Sequence, residues 1–385
     1  MDLTTLAMAL ALLLASLGLD TVMHPRDVLL DGQVTARLQD TSFNEEMLTD
    51  ILREEVERIS STPSVSSRPV IQVGRPEGFG VSIAEAMHVP GIAYALQSQF
   101  GTRPDQIRLG LYVEGGVNKI LVRGFGQRHF ASFRQEVTQE PDESIVALAH
   151  RASIIAMAQV DPYSTALNLM QRHIVDLQFH DAEAIIAFGV ARSPQTPVNA
   201  ERALFENLEG IIALFRKNLP QAQERFQRAM RSNPANPVAA MNAAFVLMAM
   251  DRDADAVTLM QALLRNHPPA DPDLLGTAYM TLGAALLGVG KVQEAEAMTM
   301  RAVGLHPTCS TARELWSEVK RVQGDAAAAE RMHQEALSLN AAFENYAEVA
   351  VLYFRMGWRD GEPVMRSPFS NPTIVPVRGR LSGRV

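Results

Sequence analysis

The densest group of metal-ligating side chains in the sequence is His173, Asp176, His180 and Asp181. On one unbroken helix, positions 173, 176 and 180 share a face and offer the nitrogen and oxygen donors a divalent metal takes. Such a site exists only if the backbone brings its ligands together. A second candidate is Gly74-Arg75-Pro76-Glu77-Gly78-Phe79-Gly80, which has the glycine content of a phosphate loop. A phosphate loop needs lysine and Ser/Thr at fixed offsets. Here Pro76 interrupts the loop and no lysine follows, so a turn is the better reading. A third is Arg123 with Arg128 and His129, cations suited to an anion, although solvated surface positions explain them equally. No serine has a histidine and an acid placed to activate it, and no two carboxylates can be assigned to one cleft. The expectation is a protein that is not an enzyme, with no catalytic residues, no metal and no cofactor.

The chain totals agree with that. Its 385 residues are 47% hydrophobic and 20% charged, with a formal net charge of −8. A packed core is feasible, and no basic block exists to hold nucleic acid. One cysteine, Cys309, excludes an internal disulfide and a cysteine-based zinc site. Few aromatics and abundant alanine, leucine and methionine favour helices.

Leu3 to Leu19 is a run of seventeen residues without a charge, between Asp2 and Asp20. As a helix it would span roughly 25 Å, a little short of a bilayer core of about 30 Å. Membrane anchor, signal peptide and soluble helix all remain open. The missing positive n-region and weak cleavage site favour the anchor, hence a partner in the lipid bilayer. The flanking charges determine its orientation poorly.

Residues 27–135 read as a small α/β domain. Glu45–Ser60 carries apolar residues on one helical face, and His88–Phe100 suggests a second amphipathic helix. Pro69–Val73 reads as a strand. Gln106–Val113 and Val117–Val122 read as a hairpin, with Gly115-Gly116 supplying the positive φ of its turn.

Downstream the chain repeats. Ala295, Ala302 and Pro307 are matched by Ala256, Leu263 and Pro268, by Ala222, Ala229 and Pro234, and by Ala182, Gly189 and Pro194. After them come Ala329 and Ala336, with Ala341 in the proline's place. The steps are 40, 34, 39 and 34 residues, the longer two holding the insertions QTPVNA and PADPD. A period of this size signals a helical solenoid. Small residues let two helices approach, and proline ends the second helix of each pair.

The pattern resembles the tetratricopeptide repeat (TPR) family over roughly residues 163–343, in units near 163–196, 203–236, 237–270, 276–309 and 310–343. Tyr279, Leu282, Gly283, Ala295, Ala302 and Pro307 fill the family's consensus slots in one unit. Gly210, Ala222 and Ala229, then Ala244 and Ala256, then Ala329 and Ala336 fill packing slots in others. Met170 occupies the glycine slot of the first. The resemblance implies a mainly α protein, a right-handed TPR-type solenoid spanning 141–360 with capping helices, preceded by the α/β domain and the apolar segment 1–20. Glu143–Gln159 would cap and join the solenoid at one end, and Phe343–Trp358 would cap the other. Residues 361–385 read as a flexible tail. A second, less specific resemblance is to proteobacterial membrane-associated TPR proteins with an α/β region before the repeats.

What the family resemblance implies is a scaffold for a protein or peptide partner, held in a concave groove lined by the first helix of each pair. Its groove positions here are Asn207, Ile211 and Leu214, then Met241, Asn242, Phe245 and Met248, then Met280. Methionine suits adaptable binding, and Asn207 and Asn242 would bond a peptide backbone. An ordinary core stripe is the competing reading of the same residues. The expected location is a bacterial inner membrane, with the soluble part in the periplasm. The alternative function is sensory or regulatory, with a small ligand bound between Ile71, Ile92 and the 107–122 hairpin.

Overall fold

The computed structural model describes residues 27–35, 43–64, 66, 70–73, 105–126, 130–174, 176–194, 196 and 198–339. The expected apolar segment, the glycine loop at 74–80, the helix at 88–100, Arg128, His129, the 343–358 cap and the tail lie outside these residues. Contacts divide the chain into two compact units, and the division falls after Asn168.

The first unit is a sheet with helices on one face. Its strands are β1 (Asp27–Val34), β2 (Gln72–Val73), β3 (Asp105–Glu114), β4 (Val117–Phe125) and β5 (Phe133–Thr138), in the order β2-β1-β3-β4-β5. β1 is parallel to β2 and β3, while β3, β4 and β5 are antiparallel. Gly115 and Gly116, with φ of 61° and 82°, close the β3–β4 hairpin as the two-residue turn requires. Helix α1 (Glu45–Ser60) is capped by the Asn44 side chain and buries Leu48, Leu52, Val56 and Ile59, one face of the helix. They meet Ile107, Leu109, Leu111, Ile120, Val122 and Val137 from the sheet.

Two expectations change here. Helix α2 (Ile145–Val160) packs Leu148, Ala149, Ala152, Ala156 and Met157 into that same core, so it belongs to the α/β unit. The unit therefore runs past 135, and β5 with it. Its helix was read as a cap because alanine-rich helices pack equally well on sheets or helices. The strand expected over Pro69–Val73 shrinks to two residues, because the Val70 amide donates to Asp161 at 2.9 Å instead of to a ladder.

Helix α3 (Pro162–Arg172) crosses the division. Beyond it lie α4 (His180–Arg192), then the pairs α5 (Ala200–Phe215) with α6 (Leu219–Ser232), α7 (Pro237–Ala249) with α8 (Asp253–Asn266), α9 (Pro272–Gly288) with α10 (Val292–Leu305), and α11 (Ser310–Val322) with α12 (Ala326–Ser338). Each turn into a second helix contains one residue of positive φ: Leu177, Lys217, Asp251, Gly290 and Gly324. Their spacing reproduces the steps of the alanine pattern. The hydrogen bonds recur too: Lys217, Asp251, Gly290 and Gly324 donate to the carbonyls of Leu214, Met248, Leu287 and Arg321. Pro194, Pro234, Pro268 and Pro307 each stand two residues beyond the end of α4, α6, α8 and α10. The residue before a proline is pushed out of helical conformation, which sets that boundary.

Candidate functional site

The second helices bury one narrow stripe each. In α4 it is Ala182, Ile186 and Gly189; in α6, Ala222, Phe226 and Ala229; in α8, Ala256, Met260 and Leu263; in α10, Ala295, Thr299 and Ala302. In α12, Ala329 and Ala336 are buried. This 4-then-3 spacing is one face of a helix. Opposite them on the first helices stand Gly210, Ala244, Gly283 and Ser317, with Ala244 and Ser317 fully buried. A Cβ added to Gly210 would lie 2.5 Å from the Phe226 ring, and one on Gly283 would lie 2.9 Å from the Thr299 hydroxyl. Ser317 donates its hydroxyl to the Ala329 carbonyl at 2.7 Å. The crossings are filled to contact.

The first helices differ in kind. α7 is buried without interruption from Val238 to Met248, and α5 and α9 are buried on nearly every face. Helices that are apolar all round take such interior positions. All eight residues expected to line an open groove are consequently inside: Ile211, Met241 and Asn242 have no exposure, Phe245 has 7%, and Asn207, Leu214, Met248 and Met280 fall between. The expectation of an exposed groove surface is corrected to a covered apolar face. Nor do the asparagines both point outward, because the Asn242 side-chain amide donates to the Asn207 side-chain carbonyl at 2.9 Å, tying α7 to α5.

Charges sit at the rim of this array. Buried Glu206 accepts from Ser232 at 2.6 Å and from Arg202 at 3.1 Å. Arg216 clamps Glu183 with two nitrogens, at 2.5 and 2.9 Å, joining α5 to α4. Glu209 meets Arg225 at 2.7 Å. Burial pushes the Glu209 carboxyl above its usual range, and the Arg225 charge opposes that. Glu183, Arg216, Glu209 and Arg225 line a cleft of about 130 Å³, and their charges are already paired.

The chemical candidates separate. His173 and Asp176 pair at 3.1 Å in the turn after α3, whereas exposed His180 and Asp181 open α4. Among the described residues no three His, Cys, Asp or Glu side chains are grouped to hold a metal ion. Cys309 is buried before α11. Ile71, Ile107 and Ile120 have no exposure and pack into the sheet core. Ile92 lies outside the described residues. Among the described residues no helix is long and apolar enough to cross a membrane.

Residues 214–276 match the sequence model of the tetratricopeptide repeat family. This stretch covers the α6–α8 helices and the turns around them, and the same turn geometry continues to Gly324. Residues 214–276 thus read as tetratricopeptide repeat sequence, and the helix pairs on either side share their turn geometry. Solved structures with similarity include MamA from Desulfovibrio magneticus RS-1, 17% identical over 46% of this chain and 95% of that one, with a TM-score of 0.36. PilW, described as a type IV pilus biogenesis factor, is 20% identical over 48% of this chain and 82% of its own, with a TM-score of 0.39. The first TPR of Spaghetti (RPAP3), solved with the HSP90 peptide SRMEEVD, is 22% identical over 33% of this chain and 98% of its own, with a TM-score of 0.30. No curated protein sequence is significantly similar.

Proposed function

We propose that this protein is a non-enzymatic scaffold that holds a protein or peptide partner on the first-helix face of its repeats. One observation carries the reading: α7 has no polar face from Val238 to Met248. α5, α6, α8 and α9 cover most of that surface, and Phe245, its most exposed apolar residue at 7%, marks where a partner would meet it. The scaffold is tethered to the bilayer through Leu3–Leu19, on a bacterial inner membrane with the soluble part in the periplasm. That run is apolar enough to anchor, its small shortfall in length met by local thinning of the bilayer.

The test places a photocrosslinking phenylalanine analogue at Phe245 of the full chain, with Met300, exposed on α10, as the control position. A distinct adduct with one other protein from position 245, absent at 300, is the expected result. Adducts only with the chain's own peptides would mean that the face is filled internally, and the partner reading fails. For the tether, removing residues 2–20 should release the protein from the membrane fraction; unchanged sedimentation would refute it.

A further inference from the structure

We propose that Arg123 and Arg134 form a binding site for a phosphate group on the sheet face opposite α1 and α2. The strand register creates it. Arg108 on β3 lies directly opposite Arg123 on β4, which lies directly opposite Arg134 on β5. Three like charges in one cross-strand row destabilise a sheet, so the row needs anions.

The structure supplies one of them. Asp31 on β1 stands opposite Arg108 and pairs with it at 2.6 Å. The other acids of this face are taken: Lys119 binds Glu114 at 2.6 Å and Glu136 at 2.8 Å, and the second Glu136 oxygen accepts from Tyr112. Among the described residues Arg123 and Arg134 make no hydrogen bond or ion pair. They border an open depression of about 500 Å³ completed by Phe125, Ser132 and Phe133. Arg108 lies 6.0 Å from the centre of the Phe125 ring, so the ring's other side can meet a ligand's apolar part.

Opposed residues of an antiparallel pair are about 5 Å apart at Cα, which brings both guanidinium groups within reach of one tetrahedral anion. Guanidinium forks bind phosphate oxygens in pairs. Two adjacent guanidinium forks offer more donors than one carboxylate can use, and suit the several oxygens of a phosphate monoester. The same chemistry occurs in a free phosphorylated molecule and in a phosphatidic acid headgroup. The site is independent of the repeat face, so either proposal can fail alone.

The experiment follows thermal unfolding of the full chain in neutral detergent, titrated with inorganic phosphate at constant ionic strength or with phosphatidic acid doped into the micelles. At least one additive should raise the midpoint of the wild type, and the R123Q/R134Q variant should need at least about tenfold more for the same shift. Without additive the variant should unfold no earlier than the wild type, because opposed like charges are gone. Arg134 is exposed on an edge strand, so R134Q keeps the fold and should weaken the response by itself. A response to phosphatidic acid alone assigns a lipid headgroup, and a response to both assigns a free phosphorylated molecule. Equal shifts in wild type and variants, or no shift of the wild type with either additive, overturn the proposal.

Discussion

Gly210→Ala tests how closely the repeat helices are fitted. The new Cβ would stand 2.5, 2.6 and 2.9 Å from three carbons of the Phe226 ring. Carbon atoms rest at about 3.5–4.0 Å, so the ring must move by roughly 1 Å. Phe226 is fully buried and has no free volume to enter. Overpacking of this kind costs about 1–3 kcal/mol. Alanine also gains up to about 1 kcal/mol over glycine inside a helix, which hides part of the clash in the single variant. A double-mutant cycle removes that mask. The equivalent crossing one unit on holds Ala244 and Met260, so Phe226→Met is the natural compensating change. The helix-propensity gain is common to both arms of the cycle and cancels. What remains should be a coupling of at least about 1 kcal/mol in favour of the double variant. Urea unfolding of the full chain followed by far-UV circular dichroism measures it. Additivity within about 0.5 kcal/mol would show that Gly210 and Phe226 do not share a filled space.

Other outcomes follow from single contacts. Lys217 and Asp251 have positive φ where Gly290 and Gly324 serve in the next two turns; Lys217→Gly should stabilise by about 0.5–1 kcal/mol, relief of strain exceeding the entropy of glycine, and a lower urea midpoint would contradict it. Ser317→Ala removes the buried bond to the Ala329 carbonyl and should cost about 1–2 kcal/mol by the same assay; no loss would mean that the carbonyl finds water. Arg151 holds the Glu143 carboxyl below its usual value of 4.5, chiefly by its hydrogen bond. A depressed carboxylate contributes stability that is present above its unfolded pKa and is lost as pH falls through its lower folded pKa. Arg151→Gln should therefore flatten the loss of thermal stability below pH 4.5, and parallel acid profiles for the two proteins would refute the assignment.

The repeat was legible because it is written twice, in helix crossings and in helix ends. Alanine spacing located the stripes of α6, α8 and α10, and the prolines located their ends. The turns were harder to read. Lysine, aspartate and leucine sit at positive φ in three of five equivalent turns, and a residue type that disfavours this conformation does not announce it. The sheet was legible only where the hairpin glycines fixed a register. β5 reads FRQEVT and buries Val137 alone among its residues. An edge strand covered on one face offers too few apolar positions to show alternation, and that is why the domain was drawn short. Burial of the first helices was missed for the opposite reason. Their apolar residues are so continuous that groove lining and interior look alike in sequence.

Register also decides what the arginines mean. A two-residue turn at 115–116 forces position 108 to face 123, so the first like-charge pair could be read from the hairpin alone. Arg134 could not, because its strand was not recognised. Once β5 is paired, the electrostatics admit few solutions. A protein with a net charge of −8 has acids to spare, yet among the described residues none pairs with Arg123 or Arg134: Glu136, near enough to feel the Arg134 charge, is bonded to Lys119 and Tyr112. A sheet selected only for folding would relieve two opposed charges with one substitution, since either position tolerates a neutral side chain on the face opposite α1 and α2. Their joint presence is easier to explain by an anion that arrives from outside than by any contact within the unit. This is the reason to test the pair with phosphate before testing either residue for stability.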